Sequence, residues 1–328
     1  MMTFDEFVSR VQSDLRNMIE EERKSIHIIP KKQTNGIVLT GLTVVERDIN
    51  MSPVVYLEHF YKELKGGKLY NNIVHDICTL LEENMQTEDF DLSTVTDFNK
   101  CKERIFVALV NKEKNKEMLA DVPYTTYGDL AAIYYIRLET FKEEMATVMV
   151  NNGLFHGYDI ALEELHKIAC ENTPRVNGVK LESLMTKLAR EMGDSSFLFR
   201  EDPLFILHND VDMKGTGLIL SSEIMDVIQE EVGELCYVLP SSVNELLLIS
   251  MDYVLDYEVL KAMVVDTNEN HLPEDEFLSN EVYVVDTKNR EFMPYETYEK
   301  KQLQETQGKE IQPVGLSGVS QKAKVLGI

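Results

Sequence analysis

No stretch of this 328-residue sequence reaches the roughly 18 consecutive apolar residues that a membrane-spanning helix requires, so no helical span is expected. The opening residues MMTFDEFVSRV set Asp5 and Glu6 where a secretory leader carries lysines, and they lack its apolar centre. A cytoplasmic protein is the expectation. Cysteine is scarce: Cys78, Cys101, Cys170 and Cys236 stand 23, 69 and 66 residues apart, which excludes a CxxC metal or redox pair. Cys78, Cys170 and Cys236 each have an apolar neighbour, where a free buried thiol is ordinary, and Cys101 stands between two lysines.

The short catalytic signatures are missing too. There is no GxxxxGK[ST], no GxGxxG after a strand, no HExxH and no GxSxG. The seven histidines include no pair four residues apart. Asp210-x-Asp212-x-Lys214-Gly215 opens like a calcium loop, but Lys214 occupies its fifth position, and Ser221 stands at the twelfth, where a bidentate glutamate is required. Asp266-x-Asn268-x-Asn270 fails in the same way, with His271 where the sharp turn needs glycine. Neither a metal nor a cofactor is expected.

Positive charge is the last shortage. Lysine and arginine number 33 against 57 acidic residues, a net charge of −24. Residues 300–328 hold five lysines against Glu305 and Glu310, which is +3, so residues 1–299 carry −27. A field of that sign repels phosphate backbones and anionic lipid surfaces. Direct nucleic-acid and membrane binding are therefore not expected, whereas a basic protein partner is compatible. An acidic inhibitor that imitates DNA is the sharpest version of that reading.

What is present is an alternation of helix and strand signals long enough for two units. Residues 3–23 open with the capping box Thr3-x-x-Glu6 and carry Phe4, Phe7, Val11, Leu15 and Met18 on one helical stripe. Three strands follow (26–29, 36–45 and 54–57), the first two joined at Thr34-Asn35-Gly36, then helices over 58–65 and 69–85. A helix over 93–102 and a strand over 105–111 lead to the polar NKEKNK stretch, which places a seam between residues 111 and 112. Beyond it, strands are expected at 129–138, 146–150, 204–208, 217–220, 236–239, 246–250, 282–286 and 291–293. Helices are expected from an Asp159 cap to Cys170, over 181–192, after Ser221 or Ser222, and over 257–268. Glu171-Asn172-Thr173-Pro174-Arg175 is read as a helix end, because the residue before proline avoids the helical region. The stretch 300–328 lacks periodicity and is expected to be a disordered tail. Thr147–Phe155 and Gly217–Met225 resemble each other at an offset of 70, a candidate duplicated strand–strand–helix unit. The fold class is α+β: antiparallel or mixed β-sheets with packed helices, in units 1–111 and 112–299.

Three places hold candidate ligand-contacting residues. The hairpin Pro240–Glu245 sets Ser241, Ser242, Asn244 and Glu245 between two apolar strands, although serines beside proline also simply build turns. Asp121, Tyr124 and Tyr127 precede a strand bearing Tyr134 and Tyr135, and clustered tyrosines with acids can line a cleft as readily as fill a sheet. His166 has Glu163 and Glu164 beside it and could orient as a base. No catalytic residue is assigned.

The motifs GIVLTGLTV with SPVVYLEHFY, LADVPY before DLAAIYYI, LEELHKIACENTPR, and GLILSSEIM through CYVLPSSVNELLLIS resemble the bacterial family known as domain of unknown function 5688, over most of residues 1–290. The second half is more distantly similar to domain of unknown function 1444. The first resemblance implies a hairpin reading Pro-Ser-Ser-x-His-Glu; here Asn244 holds the histidine position, which keeps hydrogen bonding but not acid–base chemistry. The expected function is a non-enzymatic binding or regulatory protein. The alternatives are an enzyme, such as a hydrolase, using the 240–245 hairpin with His166, and the DNA-mimic inhibitor.

Overall fold

The computed structural model describes residues 2–19, 24–85, 89–138, 146–196, 203–253 and 255–310. Helix α1 (Phe4–Ile19) starts as its capping box dictates: the Thr3 amide donates to Glu6 Oε2 at 2.8 Å, and the Glu6 amide donates to Thr3 Oγ1 at 3.3 Å. Phe7, Val11 and Leu15 are buried, whereas Met18 faces out. The expected continuation past Ile19 reaches residues outside the described ones. Strands β1 (Lys24–Lys32) and β2 (Val38–Glu46) form the expected hairpin, and β3 (Val54–Tyr56) pairs with β2. Helices α2 (Leu57–Lys65) and α3 (Tyr70–Asn84) lay Leu57, Phe60, Ile73 and Ile77 with the α1 stripe against Ile26 and Leu42. This three-stranded sheet and its helices own a separate core.

The chain continues through α4 (Ser93–Thr96), α5 (Phe98–Cys101), β4 (Ile105–Asn111), α6 (Lys116–Leu119), β5 (Tyr124–Tyr127), β6 (Leu130–Arg137) and β7 (Thr147–Met149). All four strands belong to one antiparallel sheet around β6. Every residue of β4 is buried: Val107 and Leu109 enter the main core, and Phe106, Ala108 and Val110 enter a second cluster on the opposite face. That two-sided burial is why the strand reads as an unbroken apolar run. β4 pairs with β6 from Ile105 opposite Ile136 to Asn111 opposite Leu130. A division at 111/112 therefore runs through a continuous sheet.

Next come α7 (Asn152–Tyr158), α8 (Leu162–Asn177), β8 (Lys180–Ser183), α9 (Leu184–Met192), β9 (Leu204–His208), α10 (Ser222–Glu231), β10 (Leu235–Pro240), β11 (Leu246–Ser250), α11 (Tyr257–Asn270), β12 (Tyr283–Asp286), β13 (Glu291–Pro294) and α12 (Tyr295–Glu310). Six of these strands form an antiparallel sheet in the order β13-β12-β10-β11-β9-β8. One face supplies Leu207, Val238, Leu248 and Val285 to the main core, together with α8 and α10. The other face packs on Leu260 and Val264 of α11, and Tyr295 of α12 stacks on Tyr257 at 4.5 Å. The fold is α+β, with antiparallel sheets and packed helices. Among the described residues no helix is long and apolar enough to cross a membrane.

Several local expectations are corrected. Gly215–Leu220 is a 3-10 turn, not a strand. It takes the place of a strand at the open edge of β4, where hydroxyls satisfy the outward amides: Val107 N–H donates to Thr173 Oγ1 and Leu109 N–H to Thr216 Oγ1, each at 3.1 Å. The duplicated unit accordingly lacks its strand in the second copy, and only the helix starts of α7 and α10 correspond. Asp159 does not cap α8; it closes α7 in the left-handed region at φ 53°. Helix α8 runs through Pro174 to Asn177: the proline cannot donate to the Cys170 carbonyl, and the helix continues only three residues past it. Residues 180–183 form β8 before α9 begins. Residues 300–310, expected in the tail, continue helix α12, and 311–328 lie outside the described residues.

Candidate functional site

The register of the six-stranded sheet builds the site. Leu246 on β11 sits opposite Leu207 on β9, so the next residues outward, Glu245 and His208, emerge together at the end of the sheet. The 241–245 hairpin folds over this edge. Ser242 N–H donates to the Glu245 carbonyl at 3.2 Å, and Asn244 N–H to Ser242 Oγ at 3.0 Å. Asn244 is the anchor: its Oδ1 accepts from the Lys214 amide at 3.0 Å and its carbonyl from the Gly215 amide at 3.1 Å. On the far side the Val243 amide donates to the Glu276 carbonyl at 2.9 Å. The hairpin is thereby tied to both segments that flank it.

These contacts enclose a cavity of about 360 Å³. Ser241, Ser242, Asn244 and Glu245 form one wall. His208 and Asp212 come from the end of β9 and its turn, Lys187 and Glu191 from α9, and Leu272 and Glu276 from the segment after α11. The Lys187 side chain is only 15% exposed, and its Nζ lies 2.7 Å from Glu245 Oε2 and 3.9 Å from Glu191 Oε1. Ser241 Oγ donates to Glu245 Oε1 at 3.3 Å. His208, 2% exposed, has its Nδ1 at 2.8 Å from Asp212 and its Nε2 at 3.1 Å from Glu182. Glu182 is held in turn by both Arg190 nitrogens at 2.6 and 2.7 Å. The Arg190 bonds, helped by His208, keep its carboxyl below the usual range. Glu276 differs. Among the described residues its carboxylate has no partner, and burial, followed by the nearby Asp275 and Glu245 charges, raises its pKa.

His166 lies elsewhere. Its Nε2 is 2.9 Å from Tyr127 Oη, its Nδ1 is 3.0 Å from Tyr134 Oη, and Tyr134 Oη is 2.8 Å from Thr125 Oγ1. Cys170 Sγ approaches His166 Nε2 at 3.5 Å. Burial pushes that thiol up to about 12 and depresses the imidazole, so the pair stays neutral instead of forming a thiolate–imidazolium couple. This is a satisfied polar network inside the main core.

Of the eight candidate residues, the structure brings Ser241, Ser242, Asn244 and Glu245 together at the cavity, and Tyr127 and His166 together in the second network. The hydrolase alternative paired His166 with the hairpin serines; His166 instead spends both ring nitrogens on tyrosines, and it does not line the cavity. Tyr124 packs on the cluster around Phe106 and Tyr135, and Asp121 is exposed, its carbonyl accepting from the Asn152 amide. Sequence reasoning missed Lys187, His208 and Glu276. His208 ends an apolar strand and precedes Asn209-Asp210, a strand-end pattern that offers no functional signal. Lys187 meets Glu245 across 58 residues.

A family model described as Family of unknown function (DUF5688) matches residues 4–287 of the chain. No curated protein and no solved structure matches it.

Proposed function

The chain belongs to the family of unknown function DUF5688, and from the geometry of its cavity we propose that it is a non-enzymatic binding protein that seats a small polar group of its ligand or partner beneath the Pro240–Glu245 hairpin. The observation that carries this reading is convergence. Segments far apart in sequence deliver mostly polar side chains to one concavity of about 360 Å³, within the size range of ligand sites. The net charge of −24 favours a basic partner. Binding fits the hydroxyl geometry better than catalysis does. A serine nucleophile needs a base free to take its proton; here Ser241 donates to Glu245, whose other carboxylate oxygen is ion-paired with Lys187, and Ser242 Oγ accepts the Asn244 amide.

The test is a titration of the isotope-labelled full chain with pools of small polar metabolites and short peptides, followed by backbone amide shifts. A saturable ligand that moves the resonances of Ser241–Glu245 is expected. Pools that leave those resonances still while moving others, or that move none, would overturn the proposal.

A further inference from the structure

The cavity's unmet hydrogen-bonding capacity indicates what it takes. Four carboxylates line it (Glu191, Asp212, Glu245 and Glu276) against the ammonium of Lys187 and the imidazole of His208, which is spent on Asp212 and Glu182. Lys187 is already committed to Glu245 and Glu191. Glu276 is the unmatched acid, and it is held in place by its backbone, whose carbonyl receives the Val243 amide and whose amide donates to Pro273 O at 3.0 Å. Beside it, the Asn244 Nδ2 amide and the hydroxyl proton of Ser242, a residue only 5% exposed, have no acceptor among the described residues. Leu272 supplies apolar surface to the same wall.

We propose that the cavity receives a cationic nitrogen on a methylene stem, a primary ammonium or guanidinium, with the cation against Glu276 and Glu245 and the stem along Leu272; where the ligand also carries a carbonyl or hydroxyl beside the stem, that group accepts from Asn244 and Ser242, and the proposal rests on the binding reading above. Charge-assisted bonds from an N⁺–H to a partly desolvated carboxylate are the strong ones, and long cationic side chains lay their stems on apolar surface. The shared chemistry has two sources: a free polyamine, or a lysine or arginine side chain of a basic protein segment.

Calorimetric titration of the full chain with spermidine, with Nα-acetyl-arginine and Nα-acetyl-lysine methylamides, with the uncharged citrulline counterpart and with glutarate decides the matter. At least one cationic probe is expected to bind saturably, and Glu276→Gln to weaken it about tenfold, one charge-assisted bond's worth. Glu258→Gln, at the distant start of α11, should change nothing. Binding of spermidine alone assigns the site to free amines; binding of the blocked residues assigns it to a protein side chain. A cationic probe equally tight in Glu276→Gln is adsorbed on the acidic surface and overturns the proposal. Citrulline or glutarate bound as tightly, with shifts at Ser241–Glu245, also overturns it while leaving the binding reading intact. If no probe binds and the hairpin never responds, both fall.

Discussion

Lys187 Nζ sits 2.7 Å from Glu245 Oε2, and this ion pair ties helix α9 to the hairpin that walls the cavity. The two side chains are 15% and 26% exposed, so the pair is shielded enough for its loss to register. Lys187→Met leaves Glu245 without its cation beside Glu276. The expected cost is about 1–3 kcal/mol, the range for stranding a partly buried charged group. Urea unfolding should show a lower midpoint, and Lys187→Met/Glu245→Gln should recover most of it, because the second change removes the stranded charge.

Glu276 carries the opposite liability. Its folded-state pKa is raised, so between the ordinary glutamate value near 4.5 and the raised one the native state holds a proton that the unfolded chain has released. More protons bound in the native state means that stability falls as pH rises through that window. Glu276→Gln should therefore be the more stable protein at neutral pH while binding cations less well, a trade expected where a site keeps a charge for function. Paired unfolding curves from pH 4 to 8 check it: the difference between variant and wild type should grow with pH and then level off.

Asn244 stands where the family resemblance implies histidine, and its structural duty is to accept the Lys214 amide. Asn244→Ala abandons that amide and should cost about 1 kcal/mol. Asn244→His can still accept through a neutral ring nitrogen, so its stability should stay close to wild type. If histidine were instead as damaging as alanine, shape and not hydrogen bonding would govern this position. Denaturant midpoints of the two variants, measured above pH 7, separate the outcomes.

Gly217 shows where local sequence stops being informative. A Cβ there would lie 1.9 Å from Val107 O and 2.6 Å from the Val107 carbonyl carbon, both backbone atoms of β4. Gly217→Ala must push the 3-10 turn off the strand and strip Leu109 of its Thr216 partner, at a cost of about 3 kcal/mol or more. A thermal shift of only a degree or two would mean that this edge tolerates opening.

The same residue explains what was legible. Elements whose cause is local were readable: the Thr3–Glu6 capping box, the β1–β2 turn at Thr34-Asn35-Gly36, and the β10–β11 hairpin with its polar tip. Gly217–Leu220 reads as a strand because four apolar residues carry no period, and its true form depends on β4, more than a hundred residues upstream. More than half of the cavity is of that kind. Ser241 to Glu245 are contiguous and visible, whereas Lys187, His208 and Glu276 reach them only through sheet register and helix packing. His166 looked reactive from its acidic neighbours, but Tyr127 and Tyr134 occupy its ring.

Asn35 joins the N-terminal unit to the rest of the chain. It sits at φ 61° in the β1–β2 turn and is 7% exposed. Its amide donates to Asn115 Oδ1 at 2.7 Å, its Oδ1 accepts from Asn115 Nδ2 at 3.0 Å, and its Nδ2 points at the carbonyls of Glu274, Asp275 and Phe277 between 2.8 and 3.1 Å. Asparagine tolerates the left-handed region better than most side chains, so one residue meets both the backbone and the docking requirement. Asn35→Gly keeps the backbone but deletes the side-chain bonds, and Asn35→Ala loses both. The expected order of stability is wild type, glycine, alanine, with a loss of about 2 kcal/mol or more for alanine from its stranded partners and strained backbone. The N-terminal sheet has its own core, so the loss should fall on docking: hydrogen exchange in both variants should rise along Asn111–Asn115 and Glu274–Phe277, while the amides of β1 and β2 away from the turn stay protected. Protection lost evenly across the three-stranded sheet would show instead that the N-terminal core depends on the dock for its own folding.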